Sequence, residues 1–171
     1  MLDTWKQMTA NQFNAALSTL NKCIEECTDE GWDGPVANMV FCQVVFHALF
    51  FADCYLGRDG RDFLEQDFHR EHPEYFRDYE KMEDRPQKLL YDRPTTLLYM
   101  EHCRQKAPHV IGAETAESLK ATSGFHWLPF SRAEVYVYNI RHIQHHAAQL
   151  SLRLRLNAGT DIPWARSGWR A

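Results

Sequence analysis

Long apolar runs are missing from this chain. No stretch of its 171 residues approaches the about 18 consecutive apolar positions of a membrane-spanning helix, so no membrane partner is expected. A surplus of positive charge is missing as well. The formal net charge is −4, which argues against a general nucleic-acid binder, whose footprint is a basic patch or stripe. Internal repeats, low-complexity tracts and the two-residue alternation of strands are also wanting. The start, Met1-Leu2-Asp3-Thr4-Trp5-Lys6, has neither a basic segment nor a following apolar one, so no secretory signal is expected and the cytoplasm is the expected compartment. Cys23 and Cys27 are four apart rather than in a C-x-x-C pair. With Cys42, Cys54 and Cys103 they make an odd number and read as reduced, buried thiols.

What remains is an ordinary globular composition, 44% hydrophobic and 25% charged, in a length that suits one domain over 1–171. Apolar residues recur at helical steps in four segments, which predicts an all-α protein. In the first, about Thr4 to Cys27, the residues Phe13, Leu17, Leu20, Ile24 and Cys27 form one face. The second, about Pro35 to Leu56, is apolar nearly all round, with Val40, Val44, Phe51 and Cys54 on one side and Val45, Leu49 and Leu56 on the other. Such a helix is central or also serves a subunit interface. A charged, aromatic-rich crossover, 58–93, follows, in which short helices are expected around Phe63–His69 and Tyr75–Met82.

A third helix opens at Asp92-Arg93-Pro94-Thr95, with Pro108 as a kink or end and Ala113–Lys120 as a further piece. The fourth runs from Ser131 to Gly159. Ser131 and Glu134 have the spacing of a capping box, and Phe130 and Val135 that of a hydrophobic staple. Residues 158–171 read as a tail, with Arg166 and Arg170 solvated there and Arg153 and Arg155 at the negative helix end. Together these predict a four-helix bundle with a long crossover between helices two and three. That crossover lets helices two and three run parallel, and the short loops make the other sequential pairs antiparallel. Leu49, Leu56 and Leu152 lie on faces turned from the expected core and suggest a homodimer.

The fourth helix carries the chemistry. His142 and His146 are one turn apart, so two imidazoles stack on one flank of the apolar stripe and can aim at a single ion. His145 points away, toward solvent. A third ligand is needed, and His47 sits mid-helix on the face of Val40, Val44 and Phe51. A lone histidine on an apolar helix is ordinarily a hydrogen-bonded core residue; a pair elsewhere that lacks a partner makes this one a ligand candidate. Three neutral imidazoles leave a fourth position open, the composition of a catalytic rather than a structural zinc site. His69 and His72 lie in charged surroundings before Pro73 and read as a solvated face. His102 and His109 have no partner at ligand spacing, and His126-Trp127 could line a pocket mouth.

A histidine inside an apolar second helix, followed by the H-x-x-H-H-x-x-Q of His142 to Gln149 in the last of four helices, resembles the DinB/YfiT-like superfamily. The resemblance spans nearly the whole chain in length and helix order, and is carried sharply by His47 within Phe41–Tyr55 and by Arg141–Leu150. It implies His47, His142 and His146 as ligands of a divalent ion, zinc or nickel, and a homodimer. It also implies one of two chemistries on a small-molecule substrate. One is S-transfer or isomerisation with a low-molecular-weight thiol as cosubstrate; the other is metal-dependent hydrolysis. A vestigial or structural histidine cluster in a dimeric binding or stress-response module is the non-catalytic alternative.

The residues add little to that choice. Gln43 and Asn139, one turn before His47 and His142, cannot act as bases, and Gln149 suits a hydrogen bond to a ligand. Asp53 falls to the side of the His47 direction. The want of a base favours transfer, where the thiol is itself the nucleophile. Arg58, Arg61, Arg70 and Arg77 in the crossover are candidate anchors for cosubstrate carboxylates, or simply a solvated connection.

Overall fold

The computed structural model describes residues 1–79 and 87–170. The chain is mostly helical among these residues. Four long helices, α1 (Leu2–Glu26), α3 (Phe41–Leu56), α7 (Arg93–Ala113) and α9 (Arg132–Ala158), supply the frame. Short helices α2 (Asp29–Trp32), α4 (Gly60–Leu64), α5 (Asp67–Glu71), α6 (Pro73–Phe76) and α8 (Ala116–Lys120) lie in the connections. Each of α1 and α3 packs against both α7 and α9. Among the described residues no helix is long and apolar enough to cross a membrane.

The apolar stripes explain this packing. Phe13, Leu17, Leu20 and Ile24 of α1 are fully buried, as are Val135, Ile143, Ala147 and Leu150 of α9. Helix α3 is buried on every side except at His47 and Phe51, which are half-buried. Leu49 and Leu56 are therefore enclosed by the chain's own helices, which corrects their assignment to a dimer face; Leu152 does stay exposed.

Sequence periodicity placed the start of α3 six residues early. Pro35–Val36 (β1) and Met39–Val40 (β2) instead form a two-stranded antiparallel hairpin. Its two-residue loop puts Ala37 at φ 54°, the left-handed conformation such tight hairpins demand of their first loop residue. The helix then starts where the Gln43 side chain accepts from the Val40 amide at 3.2 Å. Pro108 does not end α7, which continues through it to Ala113. In the crossover, the segment expected around Phe63–His69 is split between α4 and α5. Of the segment expected around Tyr75–Met82, α6 ends at Phe76 and residues 80–82 lie outside the described residues.

Helix ends are closed by side chains. The Asp92 carboxylate accepts from the Thr95 amide at 2.8 Å, and the Ser131 hydroxyl accepts from the Glu134 amide at 3.3 Å, the cap half of the expected box. Arg132 is buried and donates to the carbonyls of Tyr55, Leu56 and Gly57 at 2.8–2.9 Å while pairing with Glu114 at 3.0 Å. Its guanidinium thus satisfies the orphan carbonyls at the C-terminus of α3 and complements that helix dipole. The tail is not simply solvated: Gly168 donates to the Asn11 carbonyl, Ser18 bonds the backbone of Arg170, and Arg104 sits over the Trp169 ring.

The loop before α9 holds the tightest backbone approach. Gly124 has φ +85°, and a Cβ there would stand 1.9 Å from the Arg58 carbonyl oxygen. Gly124→Ala therefore combines a left-handed strain with a backbone clash and is expected to cost about 3 kcal/mol or more. Gly159→Ala, at φ +66° with nothing within 4 Å, carries the strain alone and should cost about 1 kcal/mol. Thermal unfolding of the two variants side by side checks this; equal shifts would contradict it.

Candidate metal centre

Helices α3 and α9 pack directly, and their contact brings His47 against His142 and His146. The Nε2 of His142 lies 3.4 Å from that of His47 and 3.2 Å from that of His146. The candidate donor atoms of all three lie within 4.8 Å of one another. A tetrahedral ion bonded to nitrogens at about 2.0–2.1 Å would hold them about 3.3–3.4 Å apart, so the spacing is that of a ligand set. These three histidines could hold a metal ion.

The outer ring nitrogens fit the same purpose. His146 Nδ1 stands 2.9 Å from Gln149 Oε1, which can only accept, so the proton is on Nδ1 and the Nε2 lone pair is free. His47 Nδ1 is 3.1 Å from the Tyr79 hydroxyl, which can accept in the same way. Both contacts are of the kind that fixes a ligand imidazole's tautomer. His142 Nε2 faces two neighbouring lone pairs at once, and its buried Nδ1 has no hydrogen-bond partner among the described residues. A cation shared by the three Nε2 atoms resolves that conflict.

Electrostatics keep the rings neutral. Burial, with His146 close by, lowers His47 to about 4. Burial and then the neighbouring histidines lower His142 to about 3, and burial also lowers His146 against the opposing Gln149 bond. Neutral imidazole is the form that ligates. Without metal the shifts act on stability. The unfolded chain takes up these protons near pH 6.5, the folded one only near 4 and 3, so stability is lost as pH falls below about 6.5. At pH 5 the loss should be on the order of 1–2 kcal/mol for each of the two histidines. Chelator-treated protein should thus melt lower at pH 5 than at 7.5, and His47→Gln/His142→Gln should show a smaller difference; an equal one would contradict the shifts.

Other expected residues are placed differently. His145 is exposed, as its direction on the helix predicts, with Gln149 at 3.1 Å and its ring edge-on to that of His146. His69 is not solvated: it is 6% exposed, stacked on Phe76 with ring centroids 3.7 Å apart and set edge-on to Phe63. Its Nε2 faces Asp53, 3.6 Å away. Asp53 does point away from His47, into a buried cluster with Lys106 at 2.5 Å, Gln66 at 2.9 Å, Tyr99 at 3.0 Å and His102 at 3.4 Å. Gln43 ties the crossover down, donating to the carbonyls of Gln87 and Leu89. Arg61, Arg70 and Arg77 pair with Glu65, Asp67 and Glu74 along the surface of the crossover. His126 stacks edge-on against Trp127 and lines a depression away from the three histidines.

The helical period already placed Phe51 on the face of His47; sequence reasoning missed Tyr79, which approaches His47 from the crossover, and the ring of Tyr55 beside His142. Tyr55, eight residues from His47, could have been found from the same period; nothing in the sequence marks Tyr79. Comparison with family models, with curated proteins and with solved structures gives no match to this chain.

Proposed function

We propose that this chain is a divalent-metal-dependent transferase that joins a small thiol to an electrophilic small molecule. In this reading α1, α3, α7 and α9 form a four-helix bundle of DinB/YfiT-like type, and His47, His142 and His146 are the ligands of zinc or nickel. The observation that carries it is the convergence of three imidazoles, with His142 Nε2 3.4 Å and 3.2 Å from the Nε2 atoms of His47 and His146, all three candidate donors within 4.8 Å, and Tyr79 and Gln149 on the outer nitrogens of His47 and His146. A divalent ion held by these three neutral imidazoles would keep its full charge, which would acidify a thiol bound to it.

The protein's part is orientation and desolvation. Tyr79 and Gln149 hold the rings of His47 and His146 in the ligating tautomer. Phe51, 4.9 Å from the His47 ring and 5.7 Å from that of His142, limits water at the reacting end. No side-chain base is required: a thiol acidified by the ion would lose its proton to solvent first, and the thiolate would form the carbon–sulfur bond as the electrophile's carbon–leaving-group bond breaks and that group departs as an anion. The expected setting is the cytoplasm, where the five buried thiols stay reduced. The expected partner is a second copy of the chain, with Leu152 and Leu156 exposed on α9 available for contact.

The test is zinc-loaded protein with 1-chloro-2,4-dinitrobenzene and a series of small thiols. Thiol-dependent release of chloride, lost in His142→Ala, is expected. Turnover of an activated ester without any thiol would instead establish hydrolysis.

A further inference from the structure

We propose that the substrate of this site is a flat aromatic molecule carrying a carboxylate, seated on the rings beside His142 and held by Arg141. This deepens the transferase reading and rests on it for the metal, but the contacts that carry it are separate. An aromatic band leads outward from the histidines. Phe51 touches the rings of both His47 and His142. Tyr55 follows, its centroid 5.6 Å from that of Phe51, and Tyr138 is 5.5 Å from Tyr55 in an edge-on arrangement. Trp127 closes the band, 40% exposed, with its Nε1 3.4 Å from the Tyr55 hydroxyl. Rings already packed against one another cost little further ordering when they receive another ring.

Charge sets the second half of the recognition. Tyr138, Arg141 and His142 line one shallow depression on α9. Arg141 is exposed and has no ion pair or hydrogen bond among the described residues, unlike Arg61, Arg70 and Arg77. Its planar guanidinium matches a carboxylate bidentately. Tyr138 and His142 are four residues apart, a rise of about 6 Å, roughly the span of one aromatic ring. A ligand on Tyr138 with its carboxylate on Arg141 therefore lies in the same depression as the His142 ring. An apolar molecule without charge leaves Arg141 unused, and an aliphatic acid forgoes the rings.

The test is calorimetric titration of 2-naphthoate, 2-naphthamide and cyclohexanecarboxylate into the full chain, both chelator-treated and zinc-loaded. We expect 2-naphthoate to bind at least about fivefold more tightly than either analogue in both preparations. Arg141→Gln should weaken 2-naphthoate about fivefold and abolish its advantage over the amide. Tyr138→Ala should weaken naphthoate and naphthamide alike, by about threefold to tenfold. An advantage of naphthoate that survives Arg141→Gln would overturn the assignment, as would cyclohexanecarboxylate binding as tightly as naphthoate, or no binding of naphthoate to either preparation. Failure of the protein to take up zinc, with the ligand pattern intact, would remove the metal reading and leave this one standing.

Discussion

Asp53→Ala is expected to destabilise the protein by about 3–5 kcal/mol, more than any other single truncation of a polar side chain. Asp53 is completely buried on α3, and its carboxylate oxygens face Lys106, Tyr99 and His102 of α7 and Gln66 and His69 of the crossover. Burial alone would push this carboxyl up. The facing His102 and His69 and the Lys106 charge outweigh it and hold the group well below the ordinary carboxylate range. Removing the carboxylate strands a half-buried ammonium and leaves Tyr99, which is fully buried, without its acceptor.

Part of the cost is recoverable. Asp53→Asn keeps the shape and one acceptor oxygen, for Tyr99, but loses the charge and sets an amide donor where the carboxylate accepts from Lys106, so it should fall between wild type and alanine. The depressed carboxyl also fixes a sign: its contribution is present above about pH 4 and is lost as pH falls further. Urea unfolding of the three proteins at pH 7 measures the ranking. Wild-type stability in Asp53→Ala would show that the cluster contributes nothing net.

His142→Ala is expected to abolish the stabilisation that zinc confers, while His145→Ala keeps it. An ion that binds only the folded state at 1,000 times its dissociation constant adds about 4 kcal/mol, a rise of roughly 10 °C in Tm for a chain of this size. His142 supplies the central nitrogen, in short contact with both of the others, so its loss leaves an incomplete set. His145 is the immediate neighbour of His146 but stands exposed on the outer side of α9. Thermal melts with and without zinc separate the two; loss of the shift in His145→Ala with retention in His142→Ala would reverse the ligand assignment.

Helix α9 was legible from its letters. Its stripe, Tyr136 to Leu154, repeats over about five turns, Ser131 caps one end, and Gly159 ends the other in the left-handed conformation at φ 66°. The histidine pair was legible for the same reason, since four residues on a helix is one turn whatever the helix packs against. His47 could be selected only because the pair lacked a partner. The Asp53 cluster was hidden because its members are separated by up to 53 positions and meet only when α7 and the crossover close on α3. His69 misled because its sequence neighbours are charged, whereas in space it lies on Phe76 and Phe63.

Leu49 and Leu56 show the limit of a helical wheel. It marks an apolar face correctly and cannot say whether the neighbour is the chain's own α7 and α9 or a second molecule. The hairpin before α3 was invisible because two-residue strands are too short to alternate, and Ala37 is not a residue that announces a left-handed turn.

The central claim is a metal ion held by three imidazoles, and elemental analysis of untagged protein tests it most directly. Wild type and a His47→Ala/His146→Ala variant should be measured side by side, as purified and after incubation with zinc and with nickel. About one ion per chain in the wild type and none in the variant is the expected result. No ion in either protein after incubation, or equal amounts in both, would contradict it.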